Sequence, residues 1–509
     1  MNGTITNEAI TNAPVLAGYD LRGIQEFIFR TNVLKEIVGA SGIVADIFDY
    51  AAQKAVDEYD KVNIRFDWLD YDTFEFADNE SILLERLYTG AGNTFIAFRN
   101  KALCDRFNRI VSKYILENSY SLSFAIAQVP VDFREPYAQT YQKLQNALSA
   151  VKNGTPPARM QGGFPITRQD TRTGFPLSEF SRFDNTPVCR ESKLKQDWYA
   201  ERYKAPDEVK SMESMIAEKG VDSQVAIVHI DGNNMGKRFF SEMKGTTDFK
   251  SAVEKVRAFS KTIDITFKNA LNNVQDRVSD RRWPDETEDA LVPPMRVIIN
   301  SGDDITFICN ARLSISLSEA ILANLDKYKA CAGIAICNSH FPFYSAYKLA
   351  DACCGNAKKR AKSLDPANPG SFIDFQICKS MSASEYSDSY RDRNYRPEGI
   401  SLLAKPYCID DSLSVNDNRH IDYFKKAHRH FSSAEFARNS ALVLRNAYAK
   451  SQNEAEATHE KLASRGKPMP FGNELYINRE NAKEALYYDA LEMLDLYVDI
   501  NDLRIVENE

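Results

Sequence analysis

Apolar positions along the chain alternate between short strand-like runs and stretches with a three- to four-residue helical period. Residues 15–20 (VLAGYD) read as a strand, and 23–29 (GIQEFIF) as the start of a helical turn. A helical stretch follows at 34–50. Residues 63–76 read as strand-like, with Ile64, Phe66 and Trp68 in alternation. Gly90-Ala91-Gly92-Asn93 is a turn signal, and residues 94–98 (TFIAF) after it form a strong strand pattern. Residues 104–115 predict a helix, 121–129 a strand and 137–151 another helix, so the first 150 residues make an α+β unit.

Residues 154–215 lose this periodicity. They carry Gly-Pro-rich stretches and read as a connecting element with few regular structures. A second α+β unit begins near Asp222. Residues 225–230 (VAIVHI) form a buried-strand run. Phe249, Val253, Val256, Phe259, Ile263, Phe267 and Leu271 then recur at helical spacing. Residues 278–290 are charged and read as a loop. Two short strands, 296–300 and 305–309, flank Ser301-Gly302-Asp303-Asp304, which is a hairpin pattern. A helix at 316–328, a strand at 331–337, a helix at 345–362 and a strand at 371–377 complete the unit. The same element order thus occurs twice, about 200 residues apart. Beyond 398 the chain reads as mostly helical, with candidates at 424–431, 433–451 and 479–498.

A length of 509 residues suits two to four domains. Hydrophobic residues at 43% and charged residues at 27% are ordinary for a globular chain, and 29 Phe with 24 Tyr can fill large cores. The net charge of −7 argues against a general electrostatic affinity for nucleic acid, although residues 193–204 and 358–362 are locally basic. Nine cysteines without a C-x-x-C pair read as free thiols in a reducing cytoplasm, with no zinc site. The polar N-terminus and the lack of a long apolar run predict neither a signal peptide nor a membrane span.

The candidate chemistry lies in Asp231, directly after a buried strand, and in Asp303-Asp304 at a hairpin tip. Neighbouring strands would bring these three carboxylates to one sheet edge, where like charges repel unless a cation joins them. Mg²⁺ suits a few carboxylates plus substrate phosphates, and two such ions can serve an in-line displacement. Taken singly, Asp303-Asp304 also fits a solvated turn. His229 reads as a core residue and Cys353-Cys354 as helix packing.

Residues 230–237 (IDGNNMGK) resemble the first catalytic motif of the polymerase/cyclase subunit of type III CRISPR effector complexes, the Cas-ten family. Ser301-Gly302-Asp303-Asp304 resembles that family's Gly-Gly-Asp-Asp hairpin. Residues 20–29 resemble the opening of its first palm, and Gly90-Ala91-Gly92-Asn93 the non-catalytic hairpin of the same palm. Residues 372–375 (FIDF) and 405–407 (KPY) also match family-like positions. The resemblance spans about residues 15–410. It implies an α+β chain of two ferredoxin-like palm domains in tandem plus a C-terminal helical domain. The expected bounds are 13–153 for a degenerate first palm, 154–215 for a linker that is a metal-free remnant of a zinc element, 216–398 for the catalytic palm and 399–509 for the helical domain.

The resemblance further implies a Mg²⁺- (or Mn²⁺-) dependent nucleotidyltransferase that condenses nucleoside triphosphates into a short linear or cyclic oligonucleotide messenger in antiviral defence. ATP is the default substrate, with other NTP or dNTP open. Asp231, Asp303 and Asp304 are the expected catalytic residues, and Ile230 joins them in the metal set. Gly232, Asn233, Asn234, Met235, Gly236, Lys237, Ser301, Gly302, Lys358 and Lys362 are the expected nucleotide contacts, with Asp20 and Asn93 in the first palm. Asn233 and Ser301 depart from the family pattern, the former where relatives often carry a second Asp. No His-Asp nuclease domain is expected. An effector protein or an RNA activator is a possible partner, and no membrane is. The alternative reading is a non-enzymatic nucleotide or RNA sensor within a CRISPR-type complex.

Overall fold

The computed structural model describes residues 13–505, apart from 58, 60–62, 91–92, 155–165, 203–214, 216–222, 280, 285–291, 293–294, 379–387 and 480–481. The chain divides into two compact units. One comprises Met1–Ser211, Asn234–Phe267 and Ile298–Asp303. The other comprises Met212–Asn233, Lys268–Val297 and Asp304–Glu509.

The elements of the N-terminal part are β1 (Val15–Arg22), α1 (Leu34–Val56), β2 (Ile64–Arg65), β3 (Leu84–Gly90), β4 (Asn93–Phe98), α2 (Lys101–Ser119), β5 (Ser123–Pro130) and α3 (Tyr137–Gly154). Their sheet has the order β2-β3-β4-β1-β5, with β1 antiparallel to both neighbours. Residues 63–76, expected as a strand, contribute only the two residues of β2. The pattern did not predict β3, because it buries charge. Glu85 is fully buried, and its Oε1 accepts from Arg257 Nη2 at 3.0 Å. Arg257 also donates to the Leu87, Arg86 and Thr73 carbonyls.

The expected linker holds regular structure. A hairpin of β6 (Leu177–Phe180) and β7 (Pro187–Cys189) leads into α4 (Arg190–Arg202). This helix escapes a hydrophobic reading because its buried face is polar: Glu191, Ser192, Lys195 and Gln196. Lys195 Nζ bonds Glu191 Oε1 at 2.6 Å, while buried Glu36 accepts from Ser192 at 3.1 Å and Gln196 at 2.9 Å.

Strand β8 (Gln224–Gly232) is followed by helices α5 (Met235–Met243) and α6 (Phe249–Val278). Phe249, Val253 and Val256 at the start of α6 belong to the core that contains Phe74, Phe76 and Tyr137, so Asn234–Phe267 packs with the first sheet rather than with β8. Next come β9 (Arg296–Ser301), β10 (Asp304–Asn310), α7 (Ser314–Ala323), β11 (Ala330–Asn338), α8 (Phe343–Leu364), β12 (Phe372–Ile377) and β13 (Tyr407–Cys408). The second sheet has the order β9-β10-β8-β11-β12-β13. Hairpin, first strand and returning strand therefore neighbour one another in the same sequence in both sheets.

The C-terminal part carries α9 (Ile421–Phe431), α10 (Arg438–Lys450) and α11 (Gln452–Ala463), in line with the helical pattern. Residues 479–498, expected as a helix, instead supply a hairpin of β14 (Tyr476–Arg479) and β15 (Ala482–Ala485) and one short helix, Tyr488–Glu492. Ser401 N donates to Lys483 O at 2.9 Å and Ala485 N to Ser401 O at 2.8 Å, so a distant segment holds β15 extended. No helix among the described residues is long and apolar enough to cross a membrane.

The close seating of α8 on β11 depends on Gly333. A Cβ there would strike the Ala350 carbonyl oxygen and the Cys354 amide. Gly333→Ala is expected to cost about 1–3 kcal/mol through overpacking, seen as a lower melting temperature. Gly355→Ala on the same helix meets nothing within 4 Å and is expected to be neutral or to stabilise by up to about 1 kcal/mol.

Candidate active site

Strand β8 runs between β10 and β11, and its C-terminal end carries the first acidic residue. In the antiparallel register Asp231 stands opposite Asp304, and His229 opposite Thr306. Directly opposed residues share a face of the sheet and lie about 4.5–5.5 Å apart at Cα. On the other side of β8, Asp231 faces Cys331 and His229 faces Gly333. The absent side chain at Gly333 admits α8, which brings Tyr347, Asp351, Cys354 and Lys358 over this face at steps of four, three and four residues.

The second acidic position is made by a tight hairpin. β9 ends at Ser301 and β10 begins at Asp304, leaving Gly302 and Asp303 as the turn. Gly302 has φ 61°, the left-handed value that a two-residue hairpin loop requires at its first position. Asp303 lies in the turn, next in the chain to Asp304.

Lys358 Nζ forms an ion pair with Asp231 and donates to the Gly232 carbonyl at 2.9 Å. Burial alone would lower this ammonium's pKa; the Asp231 carboxylate outweighs it, and the group is held above its ordinary value. His229 is buried, with Nδ1 3.4 Å from Asp304 Oδ1 and 3.1 Å from Thr306 Oγ1, and Nε2 3.7 Å from Asp351. Burial would lower the imidazole's pKa too, but Asp304, followed by Asp231 and Asp351, raises it above the usual value. Burial, then Asp304 and Asp351, raises the Tyr347 phenol. Burial pushes the Cys331 thiol up to about 11, so it stays neutral beside Asp231.

His229 and Asp351 are thus parts of the site that sequence reasoning did not assign. The alternation along residues 225–231 places His229 two residues before Asp231, on the same face. Asp351 lies seven residues before Lys358, two helical turns away on the same side. Both spacings were legible once the helix was known to cover this face.

The other expected residues fall into separate places. Ile230 is buried, and its partners Ile305 and Ala332 lie on the opposite face from Asp231. Only its main chain remains for a ligand. Gly232 closes β8. Asn233 is buried and donates to the Gly370 carbonyl at 2.8 Å, which turns its amide toward a loop. Asn234 has φ 56° and precedes α5, where Met235 is buried and Gly236 and Lys237 are exposed. Ser301 and Lys362 are exposed.

The first sheet contains a counterpart. Asp20 on β1 stands opposite Asn93 on β4, as Asp231 stands opposite Asp304. Asp20 pairs with Lys152, the sixteenth residue of α3, just as Asp231 pairs with Lys358, the sixteenth of α8. Ala91 and Gly92 lie outside the described residues. This half has one carboxylate and one lysine, whereas the second half has an opposed acid pair and one lysine.

No cluster of three or more metal-ligating side chains exists among the described residues. The opposed pair nevertheless suits a cation. Asp304 Oδ1 is buried with only His229 Nδ1, at 3.4 Å, as a neighbouring donor and none at closer range, and Asp231 is half-exposed, with an ammonium already beside it. A divalent ion held by two or three carboxylates leaves positions for water and phosphate.

Residues 224–365 match the sequence family Cas10/Cmr2, second palm domain. No curated protein matches the chain. Among solved structures, a Csm1–Csm4 cassette in complex with AMPPNP aligns with a TM-score of 0.53 at 13% identity, over 95% of this chain and 69% of that one. Csm1 in T. onnurineus gives 0.52 at 13% identity, over 95% and 69%. The cassette in complex with cA4 gives 0.51 at 13%, over 96% and 70%. At such identities the likeness is one of fold, and it covers both palm sheets.

Asp231→Asn should leave burial as the leading influence on Lys358 and lower its pKa. Amine-reactive ester labelling at pH 8, read by peptide mass spectrometry against exposed Lys362, is expected to accelerate at Lys358 by about tenfold per unit of pKa lost. An unchanged ratio would show that Asp231 does not hold the lysine charged.

Proposed function

We propose, for a chain that carries a second palm domain of the Cas10/Cmr2 family within a tandem-palm fold, that it is a nucleotidyltransferase joining nucleoside triphosphates into a short oligonucleotide. The observation that carries this reading is the register of Asp231 against Asp304, with Lys358 on the same face. A divalent cation, Mg²⁺ or Mn²⁺, bound by Asp231, Asp304 and the adjacent Asp303, would offset charge on the reacting phosphate and favour ionisation of the attacking hydroxyl.

The remaining work belongs to the chain's own groups. Asp231 and Asp304 hold the cation site on one face of a rigid sheet. His229 supports Asp304 from beneath. Lys358, freed from Asp231 once a stronger cation takes its place, can turn to a phosphate oxygen. Lys362, exposed one turn on, and Lys237, in the first turn of α5, are available for outer phosphates. The 3′ oxygen of one nucleotide bonds to the α-phosphorus of another, the bond from that phosphorus to the bridging oxygen breaks, pyrophosphate leaves and the hydroxyl proton goes to water.

Adenosine nucleotides are the first substrates to consider, since the Csm1–Csm4 structures of similar fold hold AMPPNP and cA4. Those structures also motivate a Csm4-like partner subunit and a role in CRISPR-linked defence. Asp20, already neutralised by Lys152, and Asn93 suit nucleotide contact in the first palm better than cation binding. An RNA trigger or an effector protein fits the same reading.

The test is incubation of the purified protein with Mg²⁺ or Mn²⁺ and mixed ribo- and deoxyribonucleoside triphosphates, with and without RNA, followed by pyrophosphate assay and mass analysis. Oligonucleotide formation is expected. The Asp303→Ala/Asp304→Ala double variant should lose more than about a hundredfold in rate, the scale of removing a main charge stabiliser. Equal turnover in that variant would refute the assignment. Nucleotide binding without turnover under every trigger would favour a sensor.

A further inference from the structure

Away from the acid pair, the end of α8 meets the loop before α9 and the β14–β15 hairpin. Arg360 follows Lys358 by two residues, about 200° around the helix, and so faces away from Asp231. Its neighbours Ala357 and Ala361 pack against Cys408, whose amide donates to the Arg419 carbonyl at 2.8 Å. Arg360 is thereby brought to residues 417–419. The charged groups that act on it are Arg419, Glu484, Arg479 and Asp417.

Two of these arginines are fixed in place. Arg419 Nε lies 3.1 and 3.2 Å from the two oxygens of buried Glu484. Buried Asn418 donates to Glu484 at 2.6 Å, and Arg479 reaches Asp417 at 2.8 Å and also binds Asn418. Glu484 sits on β15, the strand that Ser401 secures through its backbone. The Arg360 side chain, only partly exposed, makes no hydrogen bond or ion pair with any described residue, and its Nε is buried without an acceptor. The Nε of Arg479 is likewise without one. Three guanidinium groups therefore share two carboxylates. Burial, followed by the repulsion of Arg419, lowers the Arg360 pKa.

An unpaired charge close to two fixed charges of its own sign, whose carboxylates are already engaged, is unfavourable unless an anion completes the group. Each neighbouring arginine already has a carboxylate or amide partner, so the donors left over are spread over three side chains. A planar carboxylate matches one guanidinium edge, whereas a tetrahedral phosphate can accept from several donors at once. We propose that Arg360, Arg419 and Arg479 form a phosphate-binding site, separate from the acid pair, for a phosphate group carried free or in a polynucleotide backbone.

The test uses the full chain in EDTA, so that no divalent cation draws phosphate to the acid pair. Inorganic phosphate is titrated by ³¹P NMR, with sodium glutamate at matched ionic strength as the carboxylate control, and a fluorescent single-stranded RNA is titrated by anisotropy. Arg360→Gln is expected to weaken phosphate or RNA binding at least tenfold, Arg360→Lys by less, and Lys348→Met, an exposed position on the same helix, not at all. Loss with inorganic phosphate identifies a free phosphate group as sufficient; loss with RNA alone identifies the backbone of a polymer. In chloride alone Arg360→Gln should melt no lower than the parent protein, since it removes an unpaired charge. The proposal fails if neither ligand distinguishes Arg360→Gln from the parent, if glutamate competes as well as phosphate does, or if Lys358→Met abolishes binding while Arg360→Gln retains it.

Discussion

Two carboxylates fixed opposite each other on neighbouring strands are the constraint around which the second palm is arranged. Asp231 and Asp304 cannot move apart without slipping the β8–β10 register, and a slip of one residue would send every side chain of that strand to the other face. Their repulsion is offset by two neighbouring side chains. Lys358 pairs with one acid, His229 contacts the other, and the turn at Gly302 sets where β10 begins. Helix α8 can supply its lysine only because Gly333 lets it rest on the sheet backbone. The close approach and the electrostatics are thus one arrangement.

The same constraint explains the chemistry the site can support. A lysine beside an acid pair is a resident counter-ion that a divalent cation can replace. In the proposed reaction the displaced lysine would serve a phosphate oxygen within reach of its former partner. No large rearrangement is needed, since a long flexible side chain needs only a change of rotamer.

Much of this was legible in the chain. The strand run ending at Asp231, the hairpin at residues 301–304 and the helix bearing Lys358 all follow from periodicity and turn chemistry, and the repeated element order points to two related sheets. What escaped was charge in unusual places. β3 buries Glu85 beside Arg257, and α4 buries Glu191 and Lys195, so neither element shows an apolar stripe. The hairpin at 476–485 was hidden for another reason: a backbone partner eighty residues earlier holds it extended, and no local pattern encodes that. His229 looked like filler because a histidine within an apolar run shows nothing of the acids across the sheet and on the covering helix. The first half of α6 reads correctly as an amphipathic helix, but periodicity cannot say which sheet an apolar face will join.

The matched lysines, Lys152 and Lys358, stand at equal depth in their helices, so the two halves repeat one arrangement of strand, hairpin and helix. In the N-terminal copy the amide of Asn93 occupies the place of the second acid, and the remaining acid and lysine cancel each other. That copy folds as a self-neutralised version of the same design. The halves thus differ in charge without differing in plan, by one ionisable group on a scaffold present twice.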